Sequence, residues 1–245
     1  MTEQLRDGST VEDPRLDRIP DPDQRDSLYS IMEVIGGQEK PVTINWGIPE
    51  GEPVLNQGQE GACVGFGCTN ELRFNPVPVG GLTATFARET VYWPAQRDDQ
   101  WPGGAYPGAE PRYEGTSVRA GVKQMVKLGY VGEYRWAKTE QEMALAMTVG
   151  PQILGLDWYR GMLKPNSTGY LRPTGPKVGG HCCLAIGLKV TAPGDSGYYT
   201  IYNSWGPNWG KNGTARISRA DMRRLMTSGG EACIITQRFN PPQPR

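Results

Sequence analysis

The chain has 245 residues with 26 basic and 26 acidic side chains, so its net charge of zero gives no reason to expect a nucleic-acid partner. Hydrophobic residues make up 37%, and no apolar run approaches the roughly 18 residues that cross a bilayer, so no membrane segment is expected. The five cysteines are odd in number with two adjacent, and MTEQLRDGSTVEDPRL lacks a basic start followed by an apolar stretch. Together these argue against a disulfide framework and make a reducing, cytoplasmic compartment the expectation.

Residues 1–45 read as an extended polar arm, with at most a short turn near Leu28–Ile35. Residues 1–26 hold four arginines against eight acids, 4 − 8 = −4, and the remainder carries 22 − 18 = +4. Such an arm either lies against the body or stays solvated, and charge alone does not choose. We expect it to pack across the body rather than plug a cleft, and it is also where an assembly partner would dock.

From 46 to 150 the texture is helical. Gly61-Ala62-Cys63 opens a helix that Asn75-Pro76 stops, and Gly65 and Gly67 within it imply close packing against another element. A second helix is expected over Ala84–Trp93, ended or kinked by Pro94. A long loop at 98–114 follows and buries little. Helix three begins after Thr116 or Ser117 and stops at Gly129; helix four has the Thr139/Glu142 capping box and runs to Gly150-Pro151. Beyond 151 the runs Ile153–Asp157, Tyr170–Arg172, His181–Val190, Tyr198–Ser204, Ala215–Ile217 and Ala232–Gln237 read as strands between Gly, Pro and Asn turns. A helical lobe (about 46–150) and a β lobe (about 151–240) make an α+β fold with a cleft between them.

Three segments carry chemistry. Asn56-Gln57-Gly58-Gln59-Glu60-Gly61-Ala62-Cys63 delivers a cysteine to a helix start, where the dipole favours the thiolate. For an arbitrary cysteine, a small buried residue is the commoner outcome. His181 is the sole histidine, so any Cys–His pair must use it, and Gly179 and Gly180 keep its approach open. Asn203 follows a strand in Tyr202-Asn203-Ser204-Trp205-Gly206-Pro207-Asn208-Trp209-Gly210, 22 residues after His181. Its side-chain carbonyl can fix the imidazole tautomer, while Trp205 and Trp209 keep water off that bond.

NQGQEGAC, GGHCCLAIG and YNSWGPNWGKNG, in that order, resemble the Gln/Cys, His and Asn blocks of the papain-like cysteine peptidases. His181 lies 118 residues after Cys63 and Asn203 140 after, near the roughly 130–150 of that family. The resemblance spans about residues 41–237. It implies a two-lobed fold with a β-barrel-like C-terminal lobe, and acyl transfer by a Cys63–His181–Asn203 triad. It also implies an oxyanion hole from Gln57 and the Cys63 N–H, a Trp205 shield, and Gly115 pairing with extended substrate beside Gly179 and Gly180.

Glu60 stands where the family has a disulfide-bonded cysteine, and Val64 where it has a large aromatic. About 45 polar residues cannot build the helical prodomain of secreted members, so the chain is similar to compact bacterial or phage forms, in a bacterial or infected cell or on a virion. The expected partner is a polypeptide substrate, with no metal or other cofactor. A peptidoglycan amidase and a non-catalytic assembly component are the alternatives. The specificity pocket near Gly115, Ile153–Gly155 and Val178–Gly180 is expected to be apolar and small.

Overall fold

The structure, a computed structural model, describes residues 2–37, 39–192 and 196–243. Two short strands, β1 (Glu3–Gln4) and β2 (Thr10–Val11), pair as a hairpin, and 3₁₀ turns at Gln24–Tyr29 and Ile31–Glu33 follow. After β3 (Ile44–Asn45) come α1 (Cys63–Arg73), a π-helical turn at Phe86–Tyr92, α2 (Trp93–Asp98) and α3 (Val118–Lys127). Then follow β4 (Val131–Ala137), α4 (Glu140–Ala146), β5 (Gln152–Tyr159), β6 (Lys177–Thr191), β7 (Ser196–Tyr202), β8 (Thr214–Ser218), α5 (Arg219–Thr227) and β9 (Glu231–Arg238).

The large sheet is antiparallel, in the order β4-β9-β5-β6-β7-β8, with β3 also paired to β6. Period-two alternation splits its side chains between two cores. Ile153, Cys182, Leu184 and Ile186 face Cys63, Leu72, Val118 and Val122 of α1 and α3. Leu154, Leu156, Cys183 and Ala185 face Met143 and Leu145 of α4 and Met222 and Leu225 of α5. The adjacent cysteines therefore point to opposite faces, as expected for a strand. The α+β, two-lobed architecture follows from this division, with the sheet open at β4 and β8.

Pro94 does not end its helix. It sits in the first turn of α2, where its missing N–H costs nothing, and the tighter expectation gives way to a π-to-α junction. Ser117 caps α3 by accepting from the Ala120 N–H, and Thr139 caps α4 from Glu142 N–H. Gly65 and Gly67 answer to packing as expected: a Cβ at Gly65 would lie 2.3 Å from the Ala87 carbonyl oxygen, and one at Gly67 2.5 Å from Cys182 Sγ. This close approach brings α1 down on β6 and sets Cys63 against Cys182, the residue after His181.

Two expectations are corrected. The 98–114 loop buries the Arg6 guanidinium, which donates to Asp99 and to the carbonyls of Gln96, Trp101 and Pro102. The arm is neither solvated nor purely polar: Leu5, Val11, Leu16, Ile19 and Ile31 are all buried. Each such side chain contributes about 1.5–3 kcal/mol on burial. Among the described residues no helix is long and apolar enough to cross a membrane, and all five cysteines are free and buried.

Candidate active site

Cys63 is the first residue of α1, whose N-cap Ala62 gives no side-chain cap, so its backbone N–H has no partner within the helix. His181 enters from β6, whose register sets it opposite Leu156 of β5. The next residue, Cys182, donates its N–H to Cys63 Sγ at 3.2 Å, tying strand to helix at this point. Asn203 lies just past β7, its N–H donating to the Gly213 carbonyl at 2.9 Å. Its Oδ1 accepts from His181 Nε2 at 2.8 Å and from the Ser204 N–H at 2.8 Å. Two donors on one atom identify it as oxygen and place the imidazole proton on Nε2. That leaves His181 Nδ1 free of side-chain hydrogen bonds.

Trp205 lies over the imidazole, ring centroids 4.8 Å apart, and Trp158 meets it edge-on at 4.7 Å. Trp209 packs edge-on against Trp205 at 5.7 Å. Trp158, opposite Gly179 across β5 and β6, went unnoticed in the sequence because nothing in the chain pattern aims it at His181. Glu60 turns outward to Arg88, 2.5 Å away, and does not oppose Cys63. Val64 is fully buried, and a Cβ at Gly121 would lie 2.6 Å from its Cγ1, so α3 closes up on the smaller side chain there.

Gln57 is held from two directions. Its N–H donates to the Ser204 carbonyl and its Oε1 accepts from Ser204 Oγ, both at 2.9 Å. Its Nε2 therefore points into the cleft, where it donates to the Glu60 carbonyl at 2.8 Å and to the Arg15 carbonyl at 3.3 Å. The Cys63 N–H donates to Asp17 Oδ1 at 3.2 Å. The arm thus engages both Gln57 Nε2 and the Cys63 N–H.

This overturns the expectation that the arm avoids the cleft. Arg18 N–H donates to the Gly180 carbonyl at 3.2 Å and Ile19 N–H to the Thr116 carbonyl at 2.9 Å, so the arm threads between the lobes on isolated parallel bridges. A Cβ at Gly180 would lie 2.2 Å from the Arg18 carbonyl oxygen, and one at Gly179 2.7 Å from Leu16 Cβ. Both glycines are therefore needed for the chain to pass. Gly115 donates its own N–H to Tyr92 Oη and accepts from Arg6 Nη1 at its carbonyl, 3.3 Å away, while the arm's backbone N–H groups go to its neighbours Glu114 and Thr116. The Arg15 guanidinium caps Trp205 at 4.1 Å.

Burial sets the charge state of this closed site. It pushes the Cys63 thiol well above its usual range, and the Asp17 carboxylate pushes it further. The helix-start advantage expected for the thiolate is thereby cancelled, because the arm excludes water and supplies a like charge. Burial also drives His181 down to about 4 against the Asn203 hydrogen bond, lifts Asp17 to about 6 against the Cys63 hydrogen bonds, and lifts Glu114 to about 7, with Asp17 adding to it. Thiol and imidazole are both neutral in this state.

A family model described as "Papain family cysteine protease" matches residues 94–238, more than half of the chain. That stretch contains His181 and Asn203 and begins after Cys63. Mexicain of Jacaratia mexicana is 26% identical over 214 residues, covering 77% of this chain and 91% of that protein. Cathepsin B of Dictyostelium discoideum is 33% identical over 88 residues, which span 36% of this chain and 28% of that protein. Among solved structures, xylellain, a cysteine protease from Xylella fastidiosa, superposes with a TM-score of 0.67 at 18% identity, over 94% of this chain and 98% of that one. Digestive procathepsin L2 from Tenebrio molitor gives 0.52 at 19% identity, covering 90% and 77%.

Proposed function

The chain belongs to the papain family of cysteine proteases, and within it we propose that Cys63 is the nucleophile, His181 its base, Asn203 the residue orienting that base and Gln57 an oxyanion donor. With the arm displaced, water and a vacated carboxylate site lower the thiol and raise the imidazole, favouring a thiolate–imidazolium pair. The thiolate adds to the carbonyl carbon of a peptide bond. The tetrahedral oxygen then takes over the two donors, Gln57 Nε2 and the Cys63 N–H, that the Arg15 carbonyl and Asp17 Oδ1 now use. Imidazolium gives its proton to the leaving amine, and the thioester is hydrolysed by water that the neutral imidazole deprotonates.

The observation that carries the reading is the Asn203–His181 bond at 2.8 Å with Nδ1 left free beside the strand residue that binds Cys63 Sγ. The state described here is latent, since residues Arg15–Ile19 fill the cleft. A thiol-directed epoxide followed by peptide mapping tests the site. Modification confined to Cys63 and abolished by His181→Ala is expected; equal labelling of several cysteines would overturn the assignment.

A further inference from the structure

Trp158 touches the imidazole of His181 from a strand that supplies nothing else to the triad. On β5 it pairs with Gly179 of β6, while His181 pairs with Leu156, so Trp158 and His181 are diagonal neighbours on one face of the sheet. Gly179 puts no side chain beside the indole, and the register shifts immediately after Trp158. The indole is therefore free to lean along the sheet until it meets the imidazole, with ring centroids 4.7 Å apart and planes at 67°. Trp205 meets the same imidazole at 4.8 Å and Trp158 at 5.9 Å, so the imidazole sits in a corner between two indoles. Filling space does not account for Trp158. It is fully buried and its Nε1–H has no partner, an unpaired donor that phenylalanine or leucine would not bring. Among the described residues, the indoles whose N–H is buried and unpaired are Trp158 and Trp205, and both lie against His181.

We propose that Trp158 is a positioning residue for His181: once the arm has left, it keeps the imidazole with Nε2 on Asn203 and Nδ1 free for Cys63. In the latent state the arm supplies a further wall, since Leu16 comes down where a Gly179 Cβ would point and Arg15 covers Trp205. That wall goes when the arm goes. What stays with the ring is the Asn203 hydrogen bond and the two indoles, all carried by the sheet and the loop beyond β7. One hydrogen bond fixes a point on the ring and leaves it free to tilt about that point. Ring contacts from two directions remove the tilt, and a reacting group misplaced by about 1 Å loses on the order of 10²-fold in rate. The inference rests on His181 serving as base to Cys63.

Two variants of the full-length chain test it: Trp158→Phe leaves a smaller ring in the corner and Trp158→Leu leaves none. At saturating peptide substrate the arm is displaced in each protein, so kcat reports the chemistry and KM carries the arm. We expect kcat to fall about threefold in the phenylalanine variant and about 30-fold in the leucine variant. KM should not rise, because Leu16 belongs to the same apolar cluster and a smaller side chain at 158 loosens the arm. The second readout is the ¹⁵N spectrum of the Cys63–epoxide adduct, in which the arm is out. His181 is the only histidine, so every imidazole signal is its own. On the alkaline side of its titration the parent should show one tautomer, protonated at Nε2, and an Nδ1-protonated signal should grow from phenylalanine to leucine. An unchanged kcat in folded variants, or a fall in kcat with the Nε2 tautomer intact, would overturn the positioning role while leaving the triad standing. If the leucine variant does not fold, the phenylalanine variant decides on the same two readouts. A parent that neither cleaves peptide nor is labelled at Cys63 would overturn the site itself.

Discussion

The Asp17 carboxylate accepts the backbone N–H of Cys63 at 3.2 Å, at the place where the proposed mechanism puts the tetrahedral oxyanion. A carboxylate there is held at a cost, because no water reaches it and burial lifts its pKa to about 6. The arm stays in the cleft because its apolar side chains and its arginines outweigh that cost.

The cost has a pH signature. Asp17 has an ordinary pKa of 3.8 and one of about 6 when docked, so it binds its proton more tightly in the closed state. Docking is therefore strongest below about pH 4 and weakens as the pH rises toward 6, after which this contribution is constant. Glu114 acts in the same direction and His181 in the opposite one, while Cys63 and Tyr92 also face the arm and Arg15 of the arm faces His181. Comparison with Asp17→Asn isolates Asp17. The ratio of parent to variant labelling rates at Cys63 should rise by about two orders of magnitude from pH 4 to pH 6.5. At pH 7 the variant should be the more latent protein; a variant that opens more readily would contradict this account.

Arg6 fastens the hairpin of the arm. Its side chain is fully buried against Asp99, at 2.6 Å, and several carbonyls. Removing one partner of such a pair costs about 3–5 kcal/mol, because a charge is left buried alone. Arg6→Ala should raise the rate of Cys63 labelling more than tenfold, read by mass spectrometry over time. An unchanged rate in a folded variant would show that the hairpin does not hold the arm.

Gln57 can be separated from the nucleophile. Gln57→Ala removes the proposed donor to the oxyanion but leaves Cys63, His181 and Asn203 in place. We expect kcat for a peptide substrate to fall by about 10²–10³ while the epoxide still modifies Cys63. Loss of both together would point to a collapsed site, and loss of neither would remove Gln57 from the mechanism.

Stability tests the helix–strand approach. Gly65→Ala gains helix propensity but sets a methyl against the Ala87 carbonyl, which as backbone cannot turn away. The clash should outweigh the gain and lower stability by about 2–3 kcal/mol. Thermal unfolding should shift down by about 5–10 °C. An unchanged or raised Tm would mean that α1 stands further from its neighbour than described.

The capped helices at Ser117 and Thr139, the strands after 151 other than Tyr170–Arg172 (where Tyr170 alone makes an isolated bridge to Arg216) and the Cys63, His181 and Asn203 segments were legible because each is a local pattern. Capping, period-two alternation and a glycine-flanked histidine all act within a few residues. Strand β4 and helix α5 were missed: β4 mixes exposed and buried positions, and α5 has a low mean hydropathy and is held by the sheet beneath it. Glycines 65 and 67 announced a close approach without saying to what, and only the packed structure supplied Ala87 and Cys182.

The sequence by itself determined which residue types could do chemistry and in what order they lie along the chain. Tertiary structure decided what state they are in. The arm's charge of −4 was visible, yet whether it met solvent, the surface or the cleft depended on contacts 46 residues apart at Asp17–Cys63 and 213 apart at Arg18–Glu231. Such pairs leave no periodicity in a chain. Their strength comes from burial, which exists only once both lobes have folded around the arm, and the same burial switches Cys63 from a thiolate-favouring helix start to a protonated, covered thiol.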